Sequence, residues 1–255
     1  MTEEIKQIAR EAGKMMLEAG EKTRLITCKS GKGNFVTQFD VEIQNYVKNK
    51  LSRLIPQAEF MGEEAGADVY SENEFVFIVD PIDGTTNFIR DYRHSCVSIG
   101  LLKDGKPYIG VVYNPYLNEM FEAKQGCGSY LNGSPIHVSD EGLDNALVSF
   151  GTAPYYPDLT EKTFEIAAKV FAHAADLRRC GSAALDICYV AAGRTDLFFE
   201  LRISPWDFAA SSLILTEAGG VIKTRGGHDI DFKSKYAVAA ANPKAFDEFK
   251  KLVDF

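Results

Sequence analysis

Two aspartates three positions apart, Asp80 and Asp83, follow directly on the apolar run Phe75-Val76-Phe77-Ile78-Val79. That run is short, continuous and rich in β-branched and aromatic residues, so it reads as a strand buried on both faces. Carboxylates at the mouth of such a strand cost free energy unless a cation neutralises them. Pro81 fixes its own φ and biases Asp80 towards extended backbone, which predicts a sharp turn there. Gly84 lets a ligand approach the main chain. Thr85-Thr86-Asn87 can then open a helix with free N–H groups, a seat for an anion such as phosphate. Carboxylates that gather a hard cation beside amides that gather phosphate would make a metal-assisted phosphoryl site. The same residues also fit a plain turn, because Asp-Pro and Asp-Gly are common turn dipeptides.

Other acids stand at the ends of predicted elements. Glu63 and Glu64 close a short strand that begins near Glu59, and alone they read as a charged loop. Asp40 opens a helix whose apolar face is Ile43, Val47, Leu51 and Leu54 and which Pro56 stops; a first-turn carboxylate is favoured there by the helix dipole. Asp207 follows Pro205-Trp206 at a helix start, where capping is its ordinary role. Around these acids, residues 3–19 carry one apolar helical face ended by Gly20, and 29–34 form a Gly-rich basic loop. Residues 96–102, 108–113 and 120–123 read as strands of an antiparallel meander, followed by a hairpin about Asn132-Gly133. Beyond residue 145 the pattern is mixed. Strands are predicted at 146–150, 176–180, 196–200 and 236–241, and helices at 160–173, 182–192, 207–218 and 243–253. Strand runs with segregated helices indicate an α+β fold.

The chain of 255 residues, 45% hydrophobic and 25% charged, fits a globular protein and argues against disorder. A net charge of −8 argues against a nucleic-acid-coating role. No apolar run approaches the length of a membrane span, and the acidic, amphipathic beginning is unlike a secretory signal, so a cytoplasmic protein is expected. The five cysteines have no C-x-x-C spacing and read as thiols of a reducing compartment rather than disulfides or a zinc site. The four histidines are scattered, which gives a His-based metal site little support.

The stretch from Asp80 to Phe88 resembles the signature of the inositol monophosphatase family, Mg²⁺-dependent and typically lithium-sensitive phosphomonoesterases. Further motifs similar to that family's follow in the same order: Gly62-Glu63-Glu64, Gly181-Ser182-Ala183, Glu200, and Trp206-Asp207. Asn34, Ala65 and Ser211 stand where the family commonly has Asp, Ser and Gly. The resemblance implies a layered α-β-α-β-α sandwich of the inositol monophosphatase and fructose-1,6-bisphosphatase type. It implies one catalytic domain over residues 1–255, with an N-terminal lobe of about 1–140 carrying metal motifs and a C-terminal lobe of about 141–255 completing the site. Two or three Mg²⁺ ions are implied, held by Glu63, Asp80, Asp83, Asp207 and the main-chain carbonyl of Ile82. Glu63 and Thr85 would orient the attacking water, with Asp40 behind Thr85. Gly84 and Thr85 amides would hold the phosphate, and Gly181, Ser182, Ala183 and Glu200 the polyol ring, with Asp83 and Asp207 also at the substrate. The implied reaction is hydrolysis of inositol monophosphate to inositol and phosphate in a homodimer. The core motif leaves open NADP, fructose 1,6-bisphosphate or 3′-phosphoadenosine compounds as esters. It also leaves open a role as a transcription- or RNA-associated partner, as some bacterial relatives have.

Overall fold

The fold comes from a computed structural model that describes residues 1–20, 26–28, 35–64 and 73–255; the basic loop 29–34 and Ala65 lie outside the described residues. Helix α1 (Thr2–Gly20) buries Ile5, Ala9, Ala12 and Met16, the face that i, i+3, i+4 spacing predicts. Strands β1 (Ile26–Cys28) and β2 (Phe35–Thr37) pair antiparallel and lead into α2 (Gln38–Leu54). Strand β3 (Glu59–Gly62) runs parallel to β4 (Phe75–Asp83), and the short helix α3 (Thr85–Ile89) follows. An antiparallel meander of β5 (Cys96–Lys103), β6 (Lys106–Asn114), β7 (Glu119–Lys124), β8 (Ser129–Leu131) and β9 (Ser134–Ile136) completes a seven-stranded sheet in sequence order. The predicted β8–β9 hairpin turns on Asn132 and Gly133, whose φ values of 50° and 80° suit that two-residue loop.

The chain continues through β10 (Leu147–Phe150), α4 (Thr160–Phe171), β11 (Asp176–Arg178), α5 (Ala183–Ala191), β12 (Leu197–Ile203), α6 (Pro205–Glu217), β13 (Val221–Thr224), β14 (Tyr236–Ala241) and α7 (Pro243–Leu252), whose five strands form a second sheet. Its strand order is β11-β10-β12-β14-β13. Alternation along the strands sorts side chains between layers. On β4, Phe77 and Val79 pack with α1 and α2, whereas Val76 and Ile78 face α5 and α6. On β12, Phe198 faces α5 and α6, whereas Leu197 and Phe199 meet α4 and α7. The result is a layered α-β-α-β-α sandwich.

Helix α6 lies with α5 in the middle layer, between the two sheets. It is apolar on nearly every side, as a helix between two sheets must be. A Cβ on Gly110 would lie 2.4 Å from the Ala210 carbonyl oxygen, so only glycine lets β6 approach this helix so closely. That approach fixes where α6 begins, and with it Asp207. Among the described residues no helix is long and apolar enough to cross a membrane.

Two features differ from the sequence expectation. Strand β4 continues past Val79 to Asp83, because Pro81 does not end the pairing. Asp80 pairs with Ser98 and Asp83 with Cys96, an irregular register that inserts one residue opposite β5 where proline has no N–H to offer. The sharp change of direction falls at Gly84, with φ of 90°. Strands β1, β2 and β13 were not predicted, since segments of three or four residues carry too little alternation to register.

Candidate active site

A cavity of about 520 Å³ opens where the end of β4, the starts of α3, α5 and α6, and the end of β12 converge. Glu63, Asp80, Ile82, Asp83, Gly84 and Thr85 line it. Gly181, Ser182, Ala183, Glu200 and Asp207 line it as well. Asp40 is buried beneath, outside the cavity wall, and accepts from the Thr85 hydroxyl at 3.2 Å. The same hydroxyl is 3.2 Å from the Ile82 carbonyl, its alternative acceptor. The residues named from type and spacing and those named from the resemblance therefore share one neighbourhood.

Each acid is placed by a local device. The bulge at Pro81 lets Asp80 Oδ1 fold back onto the Ile82 amide at 2.9 Å. Asp83 Oδ2 accepts from the Ser182 hydroxyl at 2.6 Å and the Ala184 amide at 2.8 Å, so it sits on the free N–H groups that open α5. Ser182 is also the N-cap of that helix. Gly84 cannot be replaced freely: its φ is positive, and a Cβ would lie 3.1 Å from the His94 carbonyl and 3.2 Å from that of Gly181. On α6, Asp207 Oδ2 accepts from the Ser204 amide at 2.6 Å, the capping contact read from sequence, while the carboxylate also borders the cavity. Capping and cluster membership coexist in this residue. Glu200 accepts from the Ala153 amide at 2.8 Å and lies against Gly151, where a Cβ would come within 1.9 Å of its Oε2.

Oxygen atoms of Asp80, Asp83 and Asp207 all lie within 4.8 Å of one another. Burial pushes the Asp80 carboxyl well above the usual carboxylate range, and repulsion from Glu63, Asp83 and Asp207 adds to it. Asp207 is likewise raised well above its ordinary value, by burial and then by Asp83 and Glu63. Asp83 is raised by burial, but hydrogen bonds from Ser182 and Ala184 oppose the shift. Burial carries Glu200 up to about 7 against the pull of the Ala153 amide. A converging set of carboxylate oxygens that resists ionisation fits a hard divalent cation, whose charge would reverse each of these shifts.

The sequence profile of the inositol monophosphatase family matches residues 1–254. The chain belongs to the inositol monophosphatase family. It is 38% identical over 255 residues to inositol monophosphatase 3 of Solanum lycopersicum, covering 97% of this chain and 94% of that protein. It is 36% identical over 239 residues to the Nus factor SuhB of Escherichia coli K12, covering 92% and 89%. The crystal structure of extragenic suppressor protein suhB from Bartonella henselae superposes with a TM-score of 0.90 at 33% identity, covering 96% of this chain and 95% of that one. Members of this family are phosphatases of the fold seen here and are generally Mg²⁺-dependent.

The cavity also holds residues that sequence reasoning did not assign. Tyr155, Tyr156, Trp206, Arg202 and Lys235 form a rim, and Arg179 stands beside Gly181. Lys235 Nζ donates to the Tyr156 hydroxyl at 3.0 Å, and the Arg202 guanidinium lies 4.6 Å from the Tyr156 ring centre. The adjacent tyrosines between Pro154 and Pro157 were a signal of a shaped loop; Lys235 offered none.

Proposed function

We propose that this chain is a Mg²⁺-dependent phosphomonoesterase acting on inositol monophosphate. The observation that carries the reading is the convergence of Asp80, Asp83 and Asp207 oxygens beside Glu63, in a cavity that also opens onto Thr85 and the start of α5. Glu63, Asp80, Asp83, Asp207 and the Ile82 carbonyl would hold the ions, an all-oxygen donor set that suits Mg²⁺. Bound Mg²⁺ would supply Lewis acidity and a water of lowered pKa. Thr85, held by Asp40, presents its hydroxyl oxygen where it can accept a proton from the attacking water while passing its own to Asp40. Glu63 faces the same space as the second orienting group. The Gly84 and Thr85 amides at the start of α3 offer donors to phosphate oxygens. Glu200 and the Gly181-Ser182-Ala183 turn line the space left for a hydroxylated ring. Both halves of the chain, about 1–140 and 141–255, contribute, which supports reading them as one catalytic unit.

A second ester class has its own support. Arg179, Arg202 and Lys235 with Tyr156 and Trp206 give the rim positive charge and flat surfaces, suited to a larger ester with a further anionic group or a base. The solved SaIMPase-II, 27% identical, is described both with inositol monophosphate and with 2′AMP bound. Inositol monophosphate remains the first choice because Glu200 and the α5 turn face the cavity floor. Lithium inhibition and a homodimer rest on family resemblance; light scattering at a mass near 28.2 kDa would exclude the dimer. The free thiols of Cys96, Cys127, Cys180 and Cys188 support a cytoplasmic setting.

The test is phosphate release across inositol monophosphate, 2′AMP, NADP and fructose 1,6-bisphosphate, with Mg²⁺ and with chelator. Turnover of inositol monophosphate that needs Mg²⁺ is expected. Full turnover in excess chelator would overturn the reading.

A further inference from the structure

Three residues from separate elements meet at the edge of the phosphatase cavity, which Asp186 also lines. A ring nitrogen of His94, Cys180 Sγ and a carboxylate oxygen of Asp186 all lie within 4.8 Å of one another. His94 precedes β5, Cys180 lies between β11 and α5, and Asp186 is in the first turn of α5. Asn87 ties the two loops together, donating through Nδ2 to the carbonyls of His94 at 2.7 Å and Cys180 at 2.8 Å. The backbone around the cluster is therefore fixed before any ligand arrives.

The cluster does not satisfy itself. His94 Nε2 is buried with no hydrogen-bond partner among the described residues. A buried polar atom left so is destabilising until a partner arrives. Burial also lowers the basicity of His94 and favours the neutral imidazole, the form that ligates metals. An imidazole nitrogen, a sulfur and a carboxylate oxygen gathered in one place offer lone pairs to a cation and repel an anion. Nitrogen and sulfur donors distinguish this cation from the Mg²⁺ suited to the all-oxygen cluster.

We propose that His94, Cys180 and Asp186 form a second metal site, which takes an ion of the Zn²⁺ class with water as the remaining ligand. In a tetrahedral shell the donors stand roughly 3.3–3.8 Å apart at the usual metal–ligand distances, so small side-chain rotations close the site. Burial holds the free Cys180 thiol up to about 12, and the metal must displace its proton, as thiolate sites do. A bound ion would lock the segment before β5 to the turn that opens α5. This site does not depend on which ester the neighbouring cavity hydrolyses.

The test uses the full chain in saturating Mg²⁺, titrated with Co²⁺ and followed by the near-ultraviolet thiolate-to-cobalt charge-transfer band. Cys96, Cys127 and Cys188 are free thiols too, so the band is assigned to this site by its loss in Cys180→Ser. A saturable band is expected in the wild type, displaced by Zn²⁺ and absent from Cys180→Ser. His94→Ala should weaken Co²⁺ binding by about tenfold or more. Both variants should retain Mg²⁺-dependent phosphate release, which also shows that they fold. No band in the wild type, a band that survives Cys180→Ser, or Co²⁺ affinity unchanged in a folded His94→Ala would overturn the proposal.

Discussion

On one wall of the cavity, Asp83 rests its Oδ2 on the start of α5, where a hydroxyl and an amide donate to it. Beside it, on the wall formed by Asp80 and Asp207, those two carboxylates accept from the amides of Ile82 and Ser204 and otherwise confront other acids. Burial raises all three carboxyls, but the protein's own dipoles offset it most at Asp83. The comparison locates the uncompensated charge. The Asp83 wall carries the most compensation, and the wall of Asp80 and Asp207 carries the least.

The largest expected effect comes from weakening the uncompensated wall. Asp207→Asn can keep the capping contact with Ser204 through its side-chain carbonyl while removing one charge from the cluster. We expect phosphate release in Mg²⁺ to fall by about 10²–10³-fold, the loss typical of a single electrostatic group. Melting in chelator should rise, since a repelling charge is gone. A folded variant with near-normal turnover would remove Asp207 from the reaction.

Glu200 extends the comparison to pH. Its folded value is raised from 4.5 to about 7, so the stability it contributes is complete below about 4.5 and is lost as pH rises through about 7. The loss amounts to about 3 kcal/mol at most. Glu200→Gln keeps an acceptor for the Ala153 amide and should flatten that part of the metal-free profile. Denaturant unfolding in chelator near pH 5 and pH 8 measures the difference, and parallel profiles for the two proteins would contradict it.

The smallest effect probes the compensated wall. Ser182→Ala removes a donor to Asp83 and the N-cap of α5 together, with an expected stability cost of about 1 kcal/mol in chelator. Mg²⁺ should recover part of it. Unchanged denaturation midpoints would show that Asp83 does not lean on this hydroxyl.

Much of this architecture was legible because it rests on strong local patterns. The apolar run before Asp80, the helical face of Ile5, Ala9, Ala12 and Met16, and the Asn132-Gly133 turn each carry their own signal. The acids stood out because carboxylates at the ends of apolar elements are costly there. What could not be read depends on contacts between distant segments. The bulge at Pro81 exists only against β5, and α6 approaches the sheet closely only through Gly100 and Gly110. The rim of Tyr156, Arg202 and Lys235 is assembled from three separate loops or strand ends. The meeting of His94, Cys180 and Asp186 was not legible for the same reason, since no periodicity links residues on different elements.

Melting temperatures of wild type and Asp80→Asn, each measured in chelator and in Mg²⁺, test whether Asp80 carries charge that a divalent cation compensates and the protein does not. The account predicts that Asp80→Asn melts above the wild type in chelator and loses most of the Mg²⁺-induced increase. An Asp80→Asn protein that melts below the wild type in chelator yet keeps the full Mg²⁺ increase would contradict it.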